Sequence, residues 1–403
     1  MRSKRKLKVI TELSKHSLRY LLIAFSVSLV ILNSCENNPG DVGLSFISPN
    51  DTTGVKFLDS ETDSMEITSY SFKKLINAYA SSTMLIGKYE QYESKTLLKF
   101  TDISGDYDSS TILSATLVLK NSNYYYVNKT GTTAFNVFKV NQNLDFTTLT
   151  LDSISSSTIG TTSLGSYSGV VPDSQTISIT LDNQTVKDWL ESAADTGYAE
   201  KNYGVMLQPT SASNTIKGFY SYANVLDNIP YLSIVRTKSG VTDTLKLISS
   251  ESVSLSDAPE TVIPQDRMLV QNGIAYRCGL NFDLSKLPPN VIVNNATLEF
   301  TLDTKSSFTS ESGSKTMIVG LINDTANNND TLFVNAFLKD TINYSVSLNQ
   351  IFQNWNSGNL PNLGVSIRGS FELQNIDKFV FFSPTSPDAA TRPRLKIYYT
   401  LRN

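Results

Sequence analysis

Histidine is nearly missing from these 403 residues, and the only one, His16, lies in a basic N-terminal leader. The rest of the chain therefore cannot use Ser-His-Asp or Cys-His nucleophiles, His-containing zinc sites or His proton shuttles. Cysteine is almost as scarce, with only Cys35 and Cys278. A framework of intrachain disulfides is excluded. Cys278 lies in a strand-like run, where a buried, inert thiol is favoured over a nucleophile. Long apolar runs are lacking too. The stretch Leu21 to Leu32, uninterrupted in apolar or small residues, is 12 residues long. That is too short to cross a bilayer and has the length of a signal-peptide core.

The leader is the one basic block. It carries Arg2, Lys4, Arg5, Lys6, Lys8, Lys15 and Arg19 against a single acid, Glu12. Without those seven cations and that acid, the 34 basic and 37 acidic residues fall to 27 and 36, a formal net charge of −9. Nucleic acid is thereby disfavoured as a partner. The apolar run ends at Leu32, Asn33, Ser34 and Cys35, which is similar to a bacterial lipobox, although Asn33 departs from the usual small residue. The reading taken is that residues 1–34 are a lipoprotein signal peptide, cleaved before Cys35, which is then lipidated. The alternative is an ordinary secretory signal with an incidental cysteine. More than one acyl chain gives stable anchoring without a spanning helix, so the membrane is an expected partner and the cell envelope, with the outer membrane favoured, the expected location. Residues 35–54, rich in Asn, Pro, Gly, Asp and Ser, read as a tether.

What is abundant is Ser, Thr, Asn, Tyr and Phe, the mix of short strands joined by polar turns. Strand signals with apolar residues at spacing two recur from Val55 onward. One set of features occurs twice. Ile177 to Leu181, Trp189, Asn202 to Val205, Phe219 to Ser221 and Pro230 to Ile234 return as Val346 to Leu348, Trp355, Asn362 to Val365, Phe381 to Ser383 and Pro393 to Ile397. Upstream, Leu98 to Ile103 and Ala115 to Leu119 return as Leu280 to Leu284 and Ala296 to Leu298. A period this long means duplicated domains, not a solenoid. Each copy holds one helical segment. Val186, Trp189, Leu190 and Ala193 share a face behind a cap at Asp182 or Asn183, and Ile351, Phe352 and Trp355 do the same behind Asn349. Leu144 to Asp173, long and rich in Ser, Thr and Gly, reads as surface loops or weak edge strands. The expected fold is all-β: two tandem jelly-roll-like β-sandwich domains, 55–237 and 243–403, each with one short helix.

The order of these features resembles DNRLRE-type β-sandwich domains of secreted bacterial proteins, over most of residues 80–236 and 270–400. Leu363 in the second copy departs from Tyr203 in the first. The lipobox, followed by Asp41 to Gly43 and Ile47 to Pro49, is similar to surface lipoproteins of Bacteroidota. Such sandwich domains often accompany polysaccharide-active proteins. The resemblance thus implies a glycan-binding module with a polysaccharide as ligand; separately, no cofactor is expected.

The residues themselves name no reaction. Ser71 with Lys74 and Ser312 with Lys315 have the Ser-x-x-Lys spacing, but neither copy has the companion motifs of Ser-Lys enzymes. Glu299 sits on the polar face of its strand. Asp324 to Asp330 offers oxygens for calcium but lacks an EF-hand's glycine-punctuated loop, and turn chemistry is the simpler reading. Sugars stack on exposed aromatic faces. Tyr124 and Tyr126 share one strand face, with Asn121, Asn123 and Asn128 nearby. Tyr220 and Tyr222 form a second pair. The competing and favoured reading packs one ring of each set inside a sandwich. Trp189 and Trp355 recur at equivalent points on helical apolar faces, which argues for core. The expectation is a non-catalytic, lipid-anchored glycan-binding protein. The alternatives are a structural or adhesive lipoprotein that binds another envelope protein, and, less favoured, a polysaccharide lyase or hydrolase.

Overall fold

A computed structural model describes residues 54–402. The signal peptide, Cys35 and the tether up to residue 53 lie outside the described residues. None of the described helices is long and apolar enough to cross a membrane. In chain order the strands are β1 (Val55–Asp59), β2 (Ile67–Lys73), β3 (Thr83–Tyr89), β4 (Tyr92–Lys99), β5 (Thr111–Tyr126), β6 (Thr132–Val140), β7 (Ile159–Val170), β8 (Thr176–Thr180), β9 (Val205–Pro209), β10 (Thr215–Tyr220), β11 (Tyr231–Lys238), β12 (Val241–Ile248) and β13 (Glu251–Asp257). They continue as β14 (Arg267–Gln271), β15 (Tyr276–Phe282), β16 (Ile292–Thr301), β17 (Met317–Asp324), β18 (Asn329–Leu338), β19 (Asn343–Ser347), β20 (Val365–Gly369), β21 (Lys378–Phe382) and β22 (Arg394–Thr400). Helix α1 (Asn183–Ala194) follows β8, and α2 (Asn349–Asn356) follows β19.

These strands form two curled, 11-stranded antiparallel sheets, each folded on itself into a sandwich. The duplication is literal at the level of strands: β3 to β11 with α1 correspond one by one to β14 to β22 with α2. Trp189 and Trp355 are both buried against their sandwiches, as their helical spacing predicts. Asp182 caps α1, accepting from the Thr185 N–H at 2.8 Å. Asn349 does not cap α2. It is the first helical residue, and its side chain accepts from the Ala296 N–H at 2.6 Å, tying helix to strand. The Asn-x-Gly element is also structural. Asn202 Nδ2 donates to Phe100 O at 2.8 Å, and Asn362 Nδ2 donates to Phe282 O at the same distance. The glycines Gly204 (φ +98°) and Gly364 (φ +87°) sit where a Cβ would fall 2.2 Å from Leu98 O and 2.4 Å from Leu280 O. Only glycine adopts that backbone and permits that approach. Within Leu144 to Asp173, β7 pairs along β6 as the last strand of its sheet, while Phe146 and Leu149 bury in a satellite core.

Strand pairing crosses the boundary expected between 237 and 243. β12 follows β11 through Ser239 and Gly240 and pairs with it, and β13 pairs with β4. Both therefore belong to the first sandwich, although they follow the expected linker. Conversely β1 lies beside β22 and β2 pairs with β15, so both complete the second sandwich. A boundary drawn on the sequence cannot show this, because it assumes that neighbours in the chain are neighbours in the sheet. Residues 56–403 form a single compact unit. A separate apolar cluster joins the sandwiches, with Leu85, Tyr124, Tyr126 and Ile216 meeting Leu269, Ile274, Tyr276, Ile376 and Val380.

Candidate functional site

The tyrosine run reads differently in three dimensions. β5 turns a corner at Asn121 to Asn123: before it the strand pairs with β11 and β8, after it with β10. Asn123 is left-handed (φ 70°). Its amide is consumed by the adjacent loop, donating to Ser174 Oγ at 3.0 Å and accepting from the Ser174 N–H at 2.5 Å. Past the corner, Tyr124 and Tyr126 point into the seam between the sandwiches and are each 4% exposed. The Tyr124 hydroxyl accepts from the Ile376 N–H at 3.0 Å, and the Tyr126 ring meets Phe308 edge-on at 5.1 Å. Burial pushes both phenols well above their ordinary pKa. Neither ring has a free face, so Tyr124, Tyr126 and Asn123 are corrected from a sugar platform to a seam and its corner. Tyr220 ends β10 half-buried. Tyr222 lies past the strand, against Tyr79 at 5.0 Å, so they form no flat platform.

A large concavity lies on the second sandwich. A groove of about 1110 Å³ opens between β2, the connection Ser60 to Glu66, and the ends of β16 and β22. Its charges are set in pairs. Arg394 Nε donates to both Asp59 oxygens at 2.8 and 3.0 Å, and Arg394 Nη1 lies 2.7 Å from Glu61. Glu299 is held between Lys396 at 2.8 Å and Lys339 at 3.3 Å. Arg267 binds Asp303 at 2.9 Å and lies over the Phe382 ring at 4.2 Å. Burial alone would raise the carboxyl pKa values of Asp59, Glu299 and Asp303, but their cationic and hydrogen-bonding partners outweigh it and hold all three below the usual range. They are ionised at neutral pH and have no proton to donate. The carboxyl pushed up, to about 7, is that of Asp377. It is fully buried, beneath the seam and outside the groove lining.

The outer face of β22 leads from this groove to an aromatic pair. Arg394, Lys396 and Tyr398 alternate outward while Leu395, Ile397 and Tyr399 face the core. Tyr398, 41% exposed, meets Phe57 of β1, 45% exposed, with ring centroids 4.6 Å apart. The sequence reading missed this pair. The alternation of the closing strand does mark Tyr398 as outward, but nothing local indicates that Phe57 comes to lie beside it.

The remaining candidates are accounted for by structure. Ser71 Oγ accepts from the Leu269 N–H, whereas Lys74 Nζ reaches Asn328 O at 3.2 Å and Asn329 Oδ1 at 2.9 Å, so they form no dyad. Asp324 accepts from the Ala326 and Asn327 N–H groups and from the Asn327 amide, which is turn chemistry. Among the described residues no cluster of three or more His, Cys, Asp or Glu side chains could hold a metal. Cys278 is buried and its thiol pKa is pushed up to about 12, so it stays protonated and inert.

No family model matches the chain, and no curated protein matches it. The structure supports a tandem pair of β-sandwiches. An all-β fold without a metal cluster or an assembled nucleophile among the described residues is consistent with a non-catalytic binding role.

Proposed function

We propose that the protein is a non-catalytic binding protein of the cell envelope, lipid-anchored at Cys35, that takes a glycan along the outer face of β1 and β22 and into the adjoining groove. The observation that carries this is the exposed Phe57–Tyr398 pair at one end of a row of paired charges and hydroxyls. The apolar C–H face of a sugar ring stacks on aromatic faces, and its hydroxyls exchange hydrogen bonds with carboxylates and guanidinium groups. Because Arg394, Lys396 and Lys339 are already neutralised by neighbouring acids, a neutral glycan suits the face better than a polyanion. The test is retention of the chain from Glu36 to Asn403 on a broad glycan panel, with Phe57→Ala/Tyr398→Ala as comparison. Retention abolished by the double substitution is expected. No retention on any glycan would sink this reading. Lipidation is read separately: Cys35→Ser should shift the full-length chain from the membrane to the soluble fraction and abolish incorporation of labelled fatty acid.

A second reading, adhesion to another envelope protein, has its own support. Phe333 and Phe337 project, exposed, from one face of β18. Paired exposed rings on a strand suit a protein partner. Crosslinking in envelope fractions that depends on Phe333 and Phe337, but not on Phe57 and Tyr398, would favour it.

A further inference from the structure

The strand pairs that cross between the sandwiches are repeats of one another. Ser252 of β13 lies opposite Leu98, and Ser69 of β2 lies opposite Leu280, its counterpart. Ser254 Oγ accepts from the Leu85 N–H at 2.8 Å, and Ser71 Oγ accepts from the Leu269 N–H at 3.4 Å. Leu85 and Leu269 are themselves counterparts in β3 and β14. So β1–β2 and β12–β13 occupy the same slot in the two sandwiches. They differ in how they arrive. The β12–β13 pair follows β11 through a two-residue turn, so its docking is local and fixed. β22 ends at Thr400 with no strands after it among the described residues, and its slot is filled from the opposite end of the chain, through the linker 74–82.

The β1–β2 pair is also lightly held. Its core contribution is Met65 and Ile67, with Leu58 partly buried, while Val55, Lys56 and Phe57 are exposed. Ladder hydrogen bonds, the Tyr70 ring lying over Gly279 and the Asp59–Arg394 pair supply most of the rest. Elements with few buried apolar contacts open at the low end of a protein's range of local stabilities. When β1–β2 opens, two sheet edges, β22 and β15, lose their partners and present free backbone groups for pairing. The segment that fits those edges in register is β1–β2, and every other copy of the chain carries one.

We propose that the β22/β15 slot is an acceptor for the β1–β2 pair of a second copy. The slot is closed in cis in the monomer and can be filled in trans, linking chains by exchanged strands. No new contact surface is required, because the contacts in trans are those already made in cis. The linker favours closure in cis, so exchange grows with protein concentration.

The sheet register supplies a specific test, because Ser71 lies directly opposite Cys278. One chain, from Glu36 to Asn403, carries Ser71→Cys and Cys278→Ser; the other is unsubstituted over the same span. Neither can close an internal disulfide. Co-refolded under oxidising conditions, they can join only if β2 of one chain lies on β15 of the other. A disulfide-linked heterodimer that increases with concentration and is suppressed by a peptide of residues 54–73 is expected. A chain with Ser71→Cys alone is the control for geometry. If it closes its internal disulfide while the mixture gives no covalent dimer, the proposal is overturned. If the control fails to oxidise, light scattering on the refolded, unsubstituted chain decides. Monomer at every concentration overturns the proposal, and dimer that the peptide dissociates supports it.

Discussion

The two sandwiches share nine strands, a helix, a buried tryptophan and an Asn-x-Gly turn, yet they are closed in different ways. The first is closed by strands that follow it directly, with only Ser249 and Ser250 between β12 and β13. The second is closed by the N-terminal strands, joined by the longer connection Ser60 to Glu66. The groove and its paired charges lie along that longer connection. The repeated residues thus build the scaffold, and the concavity appears where the repeat is broken. Interiors differ as well. Arg277 sits buried on β15, donating to both Glu372 oxygens at 2.7 Å, where the corresponding residue of β4 is the half-exposed Lys95.

The comparison can be broken most forcefully where it is closest. Trp189→Ala and Trp355→Ala each remove a buried indole, and large aromatic truncations cost about 3–5 kcal/mol. Because both rings plug the same position, similar losses are expected by denaturant titration. A loss in one half more than twice that in the other would show that the two cores are not energetic equivalents. Arg277→Leu comes next and separates the halves. It removes both 2.7 Å hydrogen bonds to buried Glu372 and leaves it only Arg368 at 3.5 Å, a loss of about 1.5–3 kcal/mol, whereas Lys95→Leu should stay within about 0.5 kcal/mol. Equal effects in a thermal melt would contradict this difference. Gly204→Ala and Gly364→Ala should each cost more than about 1 kcal/mol, because the new Cβ meets a carbonyl oxygen at a positive φ.

A pH-dependent effect belongs to the seam, which neither sandwich has alone. Asp377 has a folded pKa of about 7 against an ordinary value of 3.8, because burial disfavours its charged form. The folded state therefore binds the proton more tightly than the unfolded one. Its contribution to stability is complete below about pH 4, falls as pH rises toward 7 and is level above. Asp377→Asn should flatten that fall, so that its stability relative to the parent chain increases from pH 4 to 7 and then holds. Asp59, Glu299 and Asp303 act in the opposite sense. Their lowered values add stability that is lost only as pH drops through the carboxylate range. Urea midpoints from pH 3 to 9 test both limbs, and a parent chain with no decline between pH 4 and 7 would refute the assignment to Asp377.

Much of this was legible in the sequence. The period of the duplication, the helical spacing of Val186, Trp189 and Leu190, and the alternation of the closing strands all report local geometry. The structure bears out the all-β, tandem-sandwich fold with one helix each. What was not legible depends on long-range pairing. Tyr124 and Tyr126 alternate as outward residues should, and they do face out of the first sandwich. Their outer face is covered by Phe308 and Ile376 of the second, which no periodicity shows. In the same way Val55 to Leu58 reads as a strand of the domain that follows it. Its place beside β22 is decided by edge pairing and by the ion pair between Asp59 and Arg394.

The smallest stability effect carries the sharpest functional contrast. Phe57 and Tyr398 are exposed, so truncating either should cost only the value of a cross-strand aromatic pair, about 0.2–1 kcal/mol. The first sandwich has no such pair at the corresponding place: β12 presents Val241, Thr242, Asp243 and Thr244, and the counterpart of Tyr398 on β11 is Val235. A chain with Phe57→Ala and Tyr398→Ala should therefore unfold almost as the parent does while losing ligand retention. Introducing Val235→Tyr with Thr244→Phe, which lie opposite each other on β11 and β12, should leave retention by the unaltered second sandwich unchanged. Glycan retention that survives loss of the Phe57–Tyr398 pair would show that the groove alone binds, and that the aromatic end of the face is only a cover for the sheet edge.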